Sequence, residues 1–119
     1  MNVLIVERDE LLAEVMATAL TDGGIGAKII EDDAKAIEAC EPDSPDLVIT
    51  SINRGREDMR GLALVRAMRS RCPLIGAIYM AAVWPARLHS GALGVRERFL
   101  QKPVPPEKLV QTVRELLPV

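Results

Sequence analysis

At 119 residues, with 49 % hydrophobic and 27 % charged side chains, the chain has the composition of one globular domain spanning residues 1–119, too short for two and too apolar for disorder. It can bury a core without disulfides or a structural metal. Fifteen Lys and Arg against seventeen Asp and Glu give a net charge of −2, which favours neither a phosphate backbone nor an anionic membrane, and Tyr79, Trp84 and Phe99 are too few aromatics for a base-stacking surface.

Asn2 to Val6 is a short β-branched apolar run without helical period, as expected of a strand buried on both faces of a parallel sheet. Leu11, Leu12, Val15, Met16, Ala19 and Leu20 then recur at helical spacing behind a capping Asp9, and Gly23-Gly24 ends the helix. Ala27 to Glu31 reads as a second strand. Asp32 or Asp33 caps a helix through Ile37 and Ala39, which Pro42-Asp43-Ser44-Pro45 breaks. Asp46 to Ile52 is the third strand. After a polar loop, Asn53 to Asp58, Leu62, Val65 and Met68 mark the inner side of a helix whose solvent side carries Arg66, Arg69 and Arg71. Pro73 to Ile78 reads as the fourth strand, Pro85 to Ala92 as a short helix and Arg98 to Gln101 as the fifth strand. Pro106 opens a last helix with Leu109, Val110, Val113, Leu116 and Leu117 inward.

Strand-helix alternation of this kind predicts an α/β fold, a parallel sheet covered by helices on both faces. Functional groups in such sheets gather beyond the carboxyl ends of the strands. That points to Glu7-Arg8-Asp9, Thr50 to Asn53, Ile78 to Met80 and Gln101 to Val104. Gly23-Gly24-Ile25-Gly26 follows a helix instead of joining a strand to one, so it is a turn and not a dinucleotide loop. Cys40 and Cys72 lack the paired spacing of a zinc or redox site and read as reduced thiols filling apolar space. His89 has no second ligand at metal spacing. With no basic leader before Glu7, Arg8 and Asp9, and no apolar run of membrane-spanning length, the expected location is the cytoplasm.

Val3-Leu4-Ile5-Val6-Glu7-Arg8-Asp9 looks like the first strand and acidic pocket of a known family, the response regulator receiver domain (CheY-like). Pro45-Asp46-Leu47-Val48-Ile49-Thr50-Ser51 is similar to the strand that presents its phosphoacceptor, and Phe99-Leu100-Gln101-Lys102-Pro103 to its lysine-proline signature. Their order and spacing carry the resemblance over essentially the whole chain. It implies a flavodoxin-like, doubly wound, five-stranded parallel sheet of order 2-1-3-4-5 with five helices.

Receivers of this family accept phosphate on an aspartate that ends the third strand, aided by Mg²⁺ near two acidic residues. On that pattern Ser51 falls at the phosphoacceptor position, Glu7 keeps the first acidic position and Arg8 stands at the second. Ile78 falls at the position of the hydroxyl residue that senses the phosphoryl group, and Phe99 at the switch aromatic. Lys102 is retained, and Asn53 matches a position that offers the metal only a backbone carbonyl. Three carboxylates, one lysine and Mg²⁺ sum to zero, whereas Glu7, Arg8, Ser51 and Lys102 sum to +1 without metal. A guanidinium in place of a carboxylate ligand repels a hard dication as well as failing to bind it. One unit charge pair at about 4 Å and an effective dielectric near 20 is worth about 4 kcal/mol before desolvation, so Glu7 paired with Lys102 or Arg8 could substitute for the ion.

The resemblance with these substitutions implies a degenerate, phosphorylation-independent receiver, a protein-interaction module in two-component or phosphorelay signalling. It implies no enzymatic activity, no cofactor and weak or absent Mg²⁺ binding. The implied partner is a protein, a histidine kinase, an output domain or another regulator, on the face formed by the fourth and fifth strand-helix units. Homodimerisation is open, and neither nucleic acid nor membrane is expected to bind this domain. Tyr79, Met80, Val83 and Trp84, with Phe99, are candidates for the docking patch, or alternatively cover the vacated pocket. Two further readings stand beside this one. One is phosphorylation on Ser51 or on a carboxylate of the Glu57-Asp58 loop, for which a serine needs a base and no histidine is near in sequence. The other is a small-anion or nucleotide module using Arg8, Lys102 and the arginines Arg54, Arg56 and Arg60.

Overall fold

The computed structural model describes residues 2–40, 45–52, 60–83 and 93–117. Along them run β1 (Val3–Val6), α1 (Glu10–Asp22), β2 (Ala27–Ile29), α2 (Asp33–Glu38), β3 (Leu47–Ser51), α3 (Arg60–Arg69), β4 (Gly76–Ala81), β5 (Glu97–Gln101) and α4 (Pro106–Leu116). All strand pairs are parallel. The sheet order is β2-β1-β3-β4-β5, as expected. Four helices are described; the expected Pro85 to Ala92 helix lies outside the described residues.

The two-residue period of the strands divides their apolar side chains between two layers. Val3, Ile5, Leu47, Ile49, Ile78, Met80 and Leu100 pack under Met16 and Leu20 of α1 and Leu109, Val113 and Leu116 of α4. Leu4, Val6, Val48, Ala77, Tyr79 and Phe99 meet Ala36 of α2 and Leu64, Val65 and Met68 of α3 on the opposite face. Both faces are thus covered, which explains why the strands carry near-continuous apolar runs.

The helix ends follow local chemistry. Asp9 accepts the Leu12 N–H at 3.1 Å and Asp32, not Asp33, caps α2 by accepting the Lys35 N–H at 2.8 Å. After α1, Gly24 adopts φ +82°, a left-handed conformation open to glycine. The Gly23 to Gly26 segment is accordingly the α1–β2 turn. At the other end of the molecule, Arg96 Nη2 donates to the Leu116 carbonyl at 2.9 Å and lies 3.3 Å from the Asp46 carbonyl. This guanidinium ties the last turn of α4 to the margin where β3 and β5 begin.

Three expectations are corrected. Strand β4 starts at Gly76 and continues through Ala81 instead of spanning Pro73 to Ile78. A turn closed by Ile75 N–H on the Cys72 carbonyl takes up the Pro73 region, consistent with a proline that cannot donate to a ladder. Leu11 and Val15 lie on the outer side of α1, 72 % and 48 % exposed; Ala13, Met16 and Leu20 already fill the buried arc. Arg69 is not on a solvent side: its Nη1 reaches Glu97 Oε2 at 3.1 Å.

Candidate functional site

The carboxyl ends of β1, β3 and β5 bring Glu7, Ser51 and Lys102 together. Glu7 follows β1 directly, Ser51 ends β3, and Lys102 follows β5, where the Lys102-Pro103 peptide is cis. Glu7 is 8 % and Ser51 2 % exposed. The carboxylate would be costly to bury unpaired, and each of its oxygens is satisfied. Lys102 Nζ donates to Oε1 at 2.8 Å, the Arg8 backbone N–H donates to Oε2 at 2.9 Å, and Ser51 Oγ lies 3.0 and 2.9 Å from the two oxygens. Hydrogen bonds to a charged group are worth about 1.5–3 kcal/mol each. Lys102 and Glu7 thus neutralise each other within one pocket.

A close backbone contact holds Ser51 at this end of the sheet. The Gly61 N–H donates to the Ile52 carbonyl at 2.8 Å, and a Cβ on Gly61 would stand 2.4 Å from the Ser51 carbonyl oxygen. Only glycine lets α3 begin so near β3. Beside it, Arg60 Nε pairs with Asp33 Oδ2 at 2.9 Å and joins the starts of α3 and α2.

Of the two cations considered for Glu7, the structure selects Lys102. Arg8 is exposed, and its residue lines a depression with Glu31, Asp32, Asp33 and Arg60; its contribution to Glu7 is the main-chain donor. The side-chain charges in contact at Glu7 therefore sum to zero rather than +1. This donor set does not suit Mg²⁺. Among the described residues it offers a single carboxylate, whose oxygens already carry an ammonium, a hydroxyl and an amide, where a hard dication needs free anionic oxygen.

Ile78, expected at the phosphoryl-sensing position, is fully buried and pairs with Ile49, two residues deeper than Ser51. The β4 residue level with Ser51 is Met80, itself buried. The expected strand limits, Pro73 to Ile78, stop short of Met80, so its place beside Ser51 is seen only in the observed register. Tyr79 and Met80 are core residues, and Phe99 is buried against the same layer as Tyr79. Of the proposed docking patch only Val83, 74 % exposed, is described as accessible. Trp84, Asn53, Glu57, Asp58, Arg54, Arg56 and His89 lie outside the described residues.

One polar network escaped the sequence reading. The Tyr79 hydroxyl donates to Glu97 Oε2 at 2.7 Å, Arg69 reaches the same oxygen, and the Gly94 N–H donates to Glu97 Oε1 at 2.8 Å. Burial raises the Glu97 pKa, but the Tyr79, Gly94 and Arg69 donors outweigh it and leave the carboxyl below its ordinary value. Burial, then the hydrogen bond to Glu97, pushes the Tyr79 phenol well above its usual range. The available signal was that a buried tyrosine needs a partner for its hydroxyl.

Comparison with known proteins agrees with the fold. A profile of the response regulator receiver domain matches residues 3–114. The chain belongs to the receiver domain family of two-component signalling. It is 30 % identical over 80 residues to the DNA-binding transcriptional regulator NtrC of Escherichia coli K12, a match covering 67 % of this chain and 17 % of that protein; the chain thus spans only a minor part of the curated relative. In fold it is similar to the Vibrio cholerae chemotaxis protein CheY4, with 22 % identity, a TM-score of 0.81 and 98 % of each chain covered. A two-component response regulator from Clostridium difficile superimposes with a TM-score of 0.80 at 21 % identity, over 98 % of this chain and 94 % of the other. No helix among the described residues is long and apolar enough to cross a membrane.

Proposed function

We propose that this chain is a degenerate receiver domain, a protein-interaction module of two-component signalling that works without aspartyl phosphorylation, without Mg²⁺ and without catalysis of its own, in the cytoplasm. The observation that carries this reading is the Lys102–Glu7 ion pair at 2.8 Å with the Ser51 hydroxyl on the same carboxylate. In this reading Ser51 occupies the phosphoacceptor position and offers no carboxylate to form an acyl phosphate. The retained lysine, Lys102, is engaged by a side chain of the protein itself. The partner is a protein, a kinase, an output domain or another regulator, or a second copy of this chain. It meets the face formed by the fourth and fifth strand-helix units; Val83, two residues after β4, is exposed. Incubation with acetyl phosphate and Mg²⁺ tests the reading. An unchanged intact mass is the expected result, and a stable phosphoprotein overturns it.

A second reading has one observation in its favour. Ser51 Oγ lies within hydrogen-bond reach of Glu7, so a general base is at hand for a serine acceptor. Its burial and, among the described residues, the absence of free anionic oxygen beside it for a metal weigh against it. If phosphate is incorporated, peptide mapping that places it on Ser51 selects this reading. Of the cations that an anion or nucleotide site would use, Lys102 and Arg60 are each engaged by a carboxylate.

A further inference from the structure

Cys40 and Cys72, distant in sequence and without motif spacing, are neighbours in space. Cys40 follows α2 and Cys72 follows α3, and both are buried in the layer between those helices and the sheet. Cys72 Sγ lies 3.6 Å from the Cys40 carbonyl oxygen. Cys40 Sγ lies 3.7 Å from the Met68 carbonyl oxygen, the same oxygen that accepts the Cys72 N–H at 2.8 Å. The two thiol-bearing residues therefore share one carbonyl and touch each other directly. Cys72, 5 % exposed, also lines a surface pocket of about 410 Å³ with Pro45, Pro73 and Leu74, so this residue borders an opening to the surface. The opposite end of the helix pair is held by Arg60 and Asp33, so a bond here would staple the end that has no such bridge among the described residues.

We propose that Cys40 and Cys72 form a reversible intramolecular disulfide when the folded protein meets hydrogen peroxide, joining α2 to α3. The Cys72 sulfur attacks first: it bonds to one peroxide oxygen, the O–O bond breaks, and the departing hydroxide takes the thiol proton and leaves as water, giving a sulfenic acid. The Cys40 sulfur then attacks the Cys72 sulfur, the S–O bond breaks and a second water leaves. Two thiols are oxidised by two electrons, and one peroxide is reduced to two waters. The cross-link closes a long loop that contains β3 and α3, which restricts the unfolded chain and raises stability. The inference does not depend on the receiver reading, since it uses no residue of the Glu7 pocket.

The test exposes the full chain, in native buffer, to graded peroxide, followed by alkylation, digestion and mass spectrometry without reductant. The expected result is a single chain lighter by two hydrogen atoms, with the Cys40 and Cys72 peptides linked and the change reversed by dithiothreitol. The oxidised protein should melt on the order of 10 °C higher. Cys40→Ser should accumulate a Cys72 sulfenic acid that dimedone traps, and Cys72→Ser should give neither a cross-link nor a trapped Cys40. Both thiols still alkylated after peroxide, a link between chains, a link formed only in urea, or a lower melting temperature would each overturn the proposal.

Discussion

Lys102 and Glu7, separated by almost the whole chain, meet at 2.8 Å with the carboxylate buried and the ammonium partly exposed. The asymmetry in exposure sets which partner is the more expensive to remove. Lys102→Met leaves a buried carboxylate with only the Ser51 and Arg8 donors, and is expected to cost about 3 kcal/mol. Glu7→Gln leaves an ammonium that can turn to water, and is expected to cost about 1–2 kcal/mol after solvent screening. Urea denaturation of both variants checks the order; equal losses would mean that the pair is not the main support of the pocket.

Ser51→Asp would set a second carboxylate beside Glu7, where two unit charges about 3 Å apart repel by about 5 kcal/mol at an effective dielectric near 20 before screening. The single variant is expected to melt at a lower temperature than the parent and to gain no phosphate from acetyl phosphate. Ser51→Asp combined with Arg8→Asp supplies three carboxylates, and its melting temperature should rise with millimolar Mg²⁺. A thermal shift of the parent chain by the same Mg²⁺ would contradict the account of the pocket.

The contact under α3 is testable without touching a charge. Gly61→Ala forces a methyl group against the Ser51 carbonyl and is expected to cost about 2 kcal/mol or more. Hydrogen exchange should show the loss concentrated at the start of α3 and the end of β3. An Ala variant as stable as the parent would show that the helix can shift freely.

The Tyr79–Glu97 pair predicts the shape of the pH profile. The Glu97 carboxyl is held below its ordinary value of 4.5, so its stabilisation is full above that value and disappears as acid protonates the folded state. The Tyr79 phenol is raised above its ordinary 10.0, so stability holds below pH 10.0 and falls above it, where the unfolded chain ionises first. Chemical denaturation across pH should show both losses, and Tyr79→Phe should remove the alkaline one and weaken the acid one. A Tyr79→Phe profile identical to the parent's would refute the assignment.

The alternation of strands and helices was legible in local signals, namely capping aspartates, a terminating glycine pair and apolar strand runs, whereas the strand order was implied by the resemblance to receiver domains. Glu7, Ser51 and Lys102 were legible for the same reason, since each lies at the end of a strand whose limits the sequence marks. Met80 was not, because the start of β4 depends on which residue first pairs with β3, and an unbroken apolar run gives no cue to register. The outward placement of Leu11 and Val15 was equally hidden: both continue a helical stripe, and only the width of the sheet beneath decides where burial stops. The Tyr79–Glu97 contact and the Cys40–Cys72 neighbourhood are products of packing between elements, for which no spacing rule exists.

Arg96 fastens the last turn of α4 to the pole where the strands begin, while Glu7, Ser51 and Lys102 occupy the pole where they end. A fluorophore placed on the last turn of α4, at the exposed Glu115, would therefore sit on the far side of the molecule from the ion pair. Such a label can report tumbling or surface capture while leaving the Glu7 environment untouched.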